Sequence, residues 1–148
     1  MRPTWVVVAD SSRARILRAL TVTGKLAEIE NLDYPRSRAK ARDLVEDNPN
    51  TIFSSVGSHR SAVGADAAPK LHEHDVFART LADKLTQARN KNRYENLVLM
   101  APAQFLGTLR HELGSSFAKH IVQTVTKDLT KMSIDNVGTY VEPTAIAI

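Results

Sequence analysis

The stretch that decides the fold lies near the start of the chain and reads Trp5-Val6-Val7-Val8-Ala9-Asp10-Ser11-Ser12. Its first five residues are apolar and mostly β-branched, and Asp10 with the two serines is a turn signal directly after them. This pattern predicts a buried strand that ends in a tight turn. Two more strands are predicted, over 14–22 and 26–32, separated by Gly24. Together the three strands should form an antiparallel meander.

The second half of the chain alternates helical and strand patterns. From about His74 the apolar residues Phe77, Leu81, Leu85 and Ala88 recur with the 3.6-residue period of an amphipathic helix. The apolar run over 96–101 is typical of a central strand that is buried on both faces. The remaining predictions are a helix from Pro102 to Gly114, a strand over 121–126 and a short helix near Ser133–Val141. A meander followed by these alternating units predicts a ribonuclease-H-like α/β domain with a mixed sheet, in the order β-β-β-loop-α-β-α-β-α.

Length and composition favour one domain over residues 1–148, because 148 residues with 43% hydrophobic content fill a single core. Cysteine is absent, which excludes disulfides, thiolate zinc sites and cysteine nucleophiles. Only five apolar residues precede Asp10, fewer than the roughly 7–15 of a secretory segment. The purely apolar runs also fall short of the roughly 20 residues that span a bilayer. We therefore expect a cytoplasmic protein without a membrane span.

The region at about 33–70 has no sustained periodicity and contains Pro35, Pro49, Gly57, Gly64 and Pro69. It is predicted to be a long loop, with a short helix over Arg38–Val45. Residues 54–68 are rich in serine and glycine, so they supply little apolar surface to offset an ordering entropy of about 1–2 kcal/mol per residue. We expect them to be mobile or poorly packed, and the fold to be independent of them.

Several short motifs recur in the order of a known family. They are Trp5 to Ile16 with its Ala-Asp turn and Arg-Ala-Arg, Phe77-Ala78-Arg79, Leu97 to Pro102, Phe105 to Arg110, and Lys127-Asp128-Leu129-Thr130. In these blocks the chain resembles the bacterial host-attachment proteins, and the likeness extends over almost all of it. That family is similar in fold to the middle domain of archaeal and eukaryotic release factors, which implies a link to translation and a ribosome or tRNA as partner.

Two departures limit what the resemblance implies. Release factors carry a Gly-Gly-Gln tip before the first long helix, whereas the corresponding residues 54–65 contain no paired glycines and no glutamine. Peptide release by that mechanism is therefore not expected. Asn50-Thr51 also replaces the Gly-Arg that the family more often has, so no role of that arginine is carried over.

Phosphate contact is the expected use of the cations. Arg36, Arg38, Lys40 and Arg42 form a run without acids, and Lys plus Arg outnumber Asp plus Glu by 20 to 16. The alternative is a solvated charged loop, because Asp43 follows at once. The residues predicted to bind nucleic acid or another partner are Arg13, Arg15, Arg36, Arg38, Lys40, Arg42, His59, Arg60, Lys70, His72, Arg79 and Arg110. A protein-interaction module for attachment or stress response, without RNA binding, is the rival hypothesis.

No catalytic centre is recognisable, and no cofactor or metal is expected. A nuclease of this topology needs converging carboxylates. Asp10 is one candidate and Glu73 or Asp75 a second, but no third follows the strand that ends in Met100, so Asp10 is interpreted as a turn residue.

The cluster His72-Glu73-His74-Asp75 is interpreted in the same way, as the cap of a helix start and not as a zinc site, with a weak Asp75–Arg79 pair. A triad from His59, Ser61 and Asp66 lacks a nucleophile elbow. A weak hydrolase is the third hypothesis.

Overall fold

The computed structural model describes residues 3–35 and 62–147, with side chains for 3–35 and 72–146. Within these ranges the chain is a mixed α/β protein. Its strands are β1 (Thr4–Ala9), β2 (Arg13–Ala19), β3 (Leu26–Asp33), β4 (Asn96–Met100) and β5 (Ile121–Val125). Its helices are α1 (Ala62–Asn90), α2 (Ala103–Leu113), a 3-10 turn (Ser115–Phe117), α3 (Ile134–Gly138) and α4 (Pro143–Ala147).

The strands form one five-stranded sheet in the order β3-β2-β1-β4-β5. β1 and β2 pair antiparallel, as do β2 and β3, which confirms the predicted meander. β1 and β4 pair in parallel, and so do β4 and β5. β1, β4 and β5 run parallel to one another, and α1 and α2 are the crossover helices that precede β4 and β5. All three strands therefore end at one edge of the sheet. The α/β class with a mixed sheet is confirmed, while the ribonuclease-H-like assignment stays a prediction.

Alternation along the central strands divides the core between the two faces of the sheet. One face of β1 and β4 presents Val7 and Leu99 to α1 and α2. The other presents Val8 and Met100 to α3, α4 and the chain after β5. The residues predicted for the core are all buried; they are Phe77, Leu81, Leu97, Leu99, Phe105 and Leu109.

Helix α1 is the largest difference from the sequence prediction. It begins at Ala62 and not near His74, so residues 62–70 are helical in a region predicted to be a loop. Gly64 and Pro69, which led to that prediction, lie inside the helix. The predicted helix over Arg38–Val45 and residues 54–61 of the segment expected to be mobile lie outside the described residues. Residues 62–68 of that segment are part of α1.

The last predicted helix corresponds to α3, and α4 is a further helix beyond its predicted bounds. α3 begins after Ser133, whose hydroxyl accepts a hydrogen bond from the amide of Asn136 at 3.2 Å. It ends at Gly138, and α4 follows from Pro143. Gly138 lies against Gly24 in the turn between β2 and β3, backbone against backbone. A Cβ on either glycine would overlap the carbonyl of the other, and Gly24 also has φ +92°.

Replacing Leu99 with alanine should lower the free energy of unfolding by about 2–5 kcal/mol, because the side chain is fully buried at the centre of the sheet. Urea denaturation measures the change. Leu20→Ala is the matched control, since Leu20 is 42% exposed, and it should change stability by less than about 0.5 kcal/mol. Equal effects of the two substitutions would contradict the burial of Leu99 in an interior strand.

Two glycine-to-alanine substitutions should have opposite signs. Gly138→Ala should destabilise the protein by about 1–3 kcal/mol, because the new methyl group displaces the backbone at Gly24. Gly107→Ala lies in α2 with open space around it and should stabilise by about 0.5–1 kcal/mol through helix propensity. Thermal unfolding of both variants checks the pair. An unchanged melting temperature for Gly138→Ala would show that the close approach is not tight in solution.

Candidate functional site

A cavity of about 300 Å³ opens at the edge where the parallel strands end, and we call it the edge cavity. The turn after β1 contributes Asp10 and Ser11, the segment after β4 contributes Pro102, and the loop after β5 contributes Asp128. Helices α1 and α2 close its sides. Their lining residues are His74, Asp75, Gln104, Phe105 and Thr108. The carboxyl ends of strands are the usual place for ligand sites in open α/β sheets.

Asp10 organises the turn after β1. Its Oδ1 accepts hydrogen bonds from the amides of Ser12 and Arg13, both at 2.8 Å, and from the Ser12 hydroxyl at 3.2 Å. Its Oδ2 accepts a long hydrogen bond of 3.4 Å from Thr130 Oγ1 and faces Arg13 Nε at 3.8 Å. The interpretation of Asp10 as a turn residue agrees with this geometry.

A second carboxylate is tied to the first through Thr130. Asp128 Oδ1 accepts hydrogen bonds from Thr130 Oγ1 at 2.6 Å and from the Thr130 amide at 3.0 Å. The chain Asp10–Thr130–Asp128 therefore joins the loop after β5 to the turn after β1. Asp128 was not predicted to be part of this edge, because a third acid was expected only after β4. The available signal was its position directly after a predicted parallel strand.

The cluster in α1 has a structural role that the sequence did not indicate. Because the helix begins at Ala62, residues 72–75 lie in its interior, and the prediction that they cap a helix start is wrong. Glu73 is buried and accepts a hydrogen bond of 2.6 Å from the hydroxyl of Tyr34, just after β3. The Tyr34 ring stacks on Phe77, which stacks on Phe105 of α2. These contacts fix α1 against the carboxyl edge.

The chemistry open to the edge cavity is narrow. Among residues 3–35 and 72–146, no three histidine or acidic side chains are placed to hold one metal ion. Oδ1 of Asp10 and Oδ1 of Asp128 each accept hydrogen bonds from residues of their own loops.

Among the predicted partner-binding residues whose side chains are described, Arg13 and Arg15 line one pocket, while Arg79 and Arg110 lie on α1 and α2. Arg13 lies beside Asp10, and Arg79 faces Glu112 of α2 at 3.7 Å, not the predicted Asp75. Arg15 donates to the Met132 carbonyl at 2.6 Å and faces Glu28 Oε1 at 3.6 Å. These three arginines thus make intramolecular contacts.

The other predicted residues are dispersed or fall outside the described side chains. His72 is exposed on α1, and Arg110 is exposed on α2. Lys70 belongs to α1, but its side chain is outside the described part of the chain. The residues that lie wholly outside it are Arg36, Arg38, Lys40, Arg42, His59 and Arg60.

A cluster of cations at the opposite edge of the sheet was not predicted as a site. Arg89, Lys91 and Arg93 lie where α1 turns into β4, and Lys119 and His120 precede β5. We call these five residues the cationic end. Residues 89–93 were predicted to be a polar connection. The parallel arrangement of β4 and β5 places these residues next to 119–120.

The turn that presents the first three cations is a helix C-terminal motif. Asn92 has φ 59°, the left-handed conformation that asparagine tolerates better than most residues. The amides of Arg93 and Asn92 donate to the carbonyls of Ala88 and Arg89, each at 3.0 Å. The next residue, Tyr94, is buried, donates to the Leu85 carbonyl at 2.6 Å and stacks on Trp5. Burial raises the pKa of Tyr94 above its ordinary value, against the opposing charge of Arg89.

The fold and the two ends define a class of protein: a mixed α/β protein whose carboxylates at one edge shape loops and which carries four of its described cations at the other edge. In the described ranges, no helix has both the length and the apolar character needed to cross a bilayer. The model of the family described as protein required for attachment to host cells matches residues 5–141. The chain belongs to this family.

A curated relative supports the same extent of similarity. It is an uncharacterized protein of Rickettsia prowazekii (strain Madrid E), 25% identical over 139 residues. The match covers 89% of this chain and 87% of the relative.

Replacing Asp10 with alanine should cost about 1–3 kcal/mol in the free energy of unfolding, because the amides of Ser12 and Arg13 lose their acceptor. Asp75→Ala is the control in the same cavity, since Asp75 is exposed and should change stability by less than about 0.5 kcal/mol. Chemical denaturation distinguishes them. If both variants were as stable as the parent protein, the hydrogen bonds of Asp10 would not hold the turn.

Proposed function

We propose that this host-attachment family protein is an RNA- or ribosome-associated factor that contacts the phosphate backbone through its cationic end. The observation that carries the proposal is the separation of charge along the sheet. Residues 3–35 and 72–146 contain 13 Lys and Arg against 12 Asp and Glu, so this part of the chain is almost neutral. Four of those cations nevertheless lie at the amino edge of β4 and β5, where Glu95 is the acid next to them in the chain, and Asp10, Asp75 and Asp128 line the cavity at the opposite edge.

The cations of this end are available to a ligand. Within the described part of the chain, Arg89, Lys91, Arg93 and Lys119 have no carboxylate within ion-pair distance, whereas Arg13, Arg15, Arg79 and Lys84 do. Lys91, Arg93 and Lys119 are exposed. Unpaired cations at one end attract a polyanion, and binding then releases its counterions.

Association with RNA, and not catalysis, is the activity proposed. The residues before α1 lack the Gly-Gly-Gln sequence of release factors, so peptide release by that mechanism is not part of it. The resemblance to release-factor middle domains supports a ribosome or tRNA as the source of the RNA. The run Arg36 to Arg42 is a second candidate for phosphate contact.

A protein-interaction module is the alternative, and exposed apolar side chains favour it. Leu20 and Val22 are 42% and 44% exposed in the turn between β2 and β3, and Ile29 is 39% exposed on the edge strand β3. Salt dependence separates the two functions, because phosphate contacts weaken steeply with salt and an apolar protein interface responds little.

The test is binding of fluorescently labelled single-stranded RNA over a range of salt concentrations, with ribosome sedimentation at low salt alongside. Neutralising Arg89, Lys91, Arg93 and Lys119 to glutamine should lower the slope of log affinity against log salt by about 0.7 per lost phosphate contact. The matched control neutralises four cations elsewhere: Arg18, Lys25, Lys127 and Lys131. It removes the same charge and should weaken binding much less.

Two outcomes would contradict the proposal. A protein that binds neither RNA nor ribosomes at low salt is not an RNA-associated factor. Equal losses from the cationic-end variant and its control would show that net charge alone is responsible. Replacing Arg36, Arg38, Lys40 and Arg42 with alanine tests the second candidate, and loss of binding only there would place the RNA surface before α1.

A further inference from the structure

A pocket of about 390 Å³ lies inside the cationic end, between the last turn of α1 and the chain that leads into β5. Its lining comes from both segments and contains no carboxylate. The residues are Thr86, Arg89, Asn90, Asn92, Ser116, Phe117, Lys119 and His120. Arg89, Lys119 and His120 therefore line one open pocket.

Among the described residues, no hydrogen-bond or ion-pair partner is seen for the guanidinium of Arg89. Its Nε is buried and has no hydrogen-bond acceptor in the structure, and Arg89 makes no ion pair with a described carboxylate. Buried polar atoms in folded proteins are nearly always hydrogen-bonded, and a partly buried charge without a counter-charge is costly. An anion in the pocket would supply the missing charge.

The other lining groups suit the same ligand. His120 Nδ1 lies 3.0 Å from the Glu95 carbonyl, which requires the proton on Nδ1 and fixes the orientation of the ring. Lys119 is exposed at the rim, and the amides of Asn90 and Asn92 with the Ser116 hydroxyl are additional donors. A guanidinium group, an ammonium group and neutral hydrogen-bond donors around one pocket are the groups that bind phosphate.

The helix C-terminus could account for Arg89, since cations there are favoured by the helix dipole. The structure weakens this explanation. The carbonyls of Gln87, Ala88 and Arg89 already accept hydrogen bonds from the amides of Lys91, Arg93 and Asn92. Lys119 and His120 also belong to a different segment of the chain, so the dipole of α1 does not explain their position.

We infer that this pocket is a discrete binding site for one phosphate group, held by Arg89 and Lys119 with His120 beside them. The site deepens the proposed function, because a backbone or terminal phosphate of RNA is one source of that group. A free phosphate or a small phosphorylated molecule is the other source. Both share the same chemistry of recognition.

The experiment uses inorganic phosphate with the whole protein and follows backbone amide signals by NMR. Phosphate should shift the amides of 89–93 and 115–120 in a saturable way. Arg89→Gln with Lys119→Gln should weaken phosphate binding by about tenfold or more, because charge-assisted hydrogen bonds are lost. Lys25→Gln with Arg18→Gln removes the same charge elsewhere and should leave the affinity unchanged. Lys119→Gln alone, at an exposed position, gives a well-folded variant that should lose part of the affinity.

The inference would be overturned if phosphate caused no saturable shifts or shifted amides elsewhere in the chain. Equal affinities of the two double variants would overturn it as well. The second arm compares one RNA oligonucleotide with and without a 5′-phosphate. Preference for the phosphorylated oligonucleotide identifies a terminal phosphate as the ligand, and equal binding that still depends on Arg89 and Lys119 identifies the backbone. Phosphate binding without RNA binding would support the pocket and contradict the proposed function, so the two can fail separately.

Discussion

β1 lies between β2 and β4 with every one of its residues buried, and its parallel pairing with β4 aligns Val6 with Val98 and Val8 with Met100. This pairing places one apolar layer on each face of the sheet and requires helices on both sides. It also sets the direction of the crossovers. The turns that follow β1, β4 and β5 therefore meet at the carboxyl edge, and the segments that precede β4 and β5 meet at the amino edge. Both candidate sites are consequences of that arrangement.

The sequence predicted those parts of the fold that are determined by local residue patterns. Apolar periodicity located all five strands and the buried face of α2, and Gly114 with φ +87° ends that helix as expected. The start of α1 was missed because Gly64 and Pro69 are ordinarily signs of a loop. Its anchoring contact, Tyr34 to Glu73, joins residues 39 positions apart, and no local pattern indicates it.

The candidate site was predictable to a smaller degree, again for physical reasons. Asp10 was correctly interpreted, because a short acidic side chain followed by two serines forms its hydrogen bonds within three residues. Arg13 and Arg15 were expected to meet a partner. That role stays a prediction, and within the protein Arg15 reaches Glu28 on the neighbouring strand and a carbonyl after β5, contacts that are set by sheet register and not by sequence spacing. The cationic end was missed for the same reason, since its two segments are about 30 residues apart in the chain.

The separation of charge between the two edges would also orient a bound polyanion, which the net charge alone would not do. The two edges are separated by the length of β4, five residues or roughly 17 Å at about 3.3 Å per residue. That distance exceeds a Debye length of about 8 Å at physiological salt, so the charges of one edge are largely screened at the other. Under the proposed function, a polyanion bound at the cationic end would lie away from Asp10, Asp75 and Asp128 at the edge cavity. Binding would therefore leave the carboxyl edge facing away from the bound polyanion.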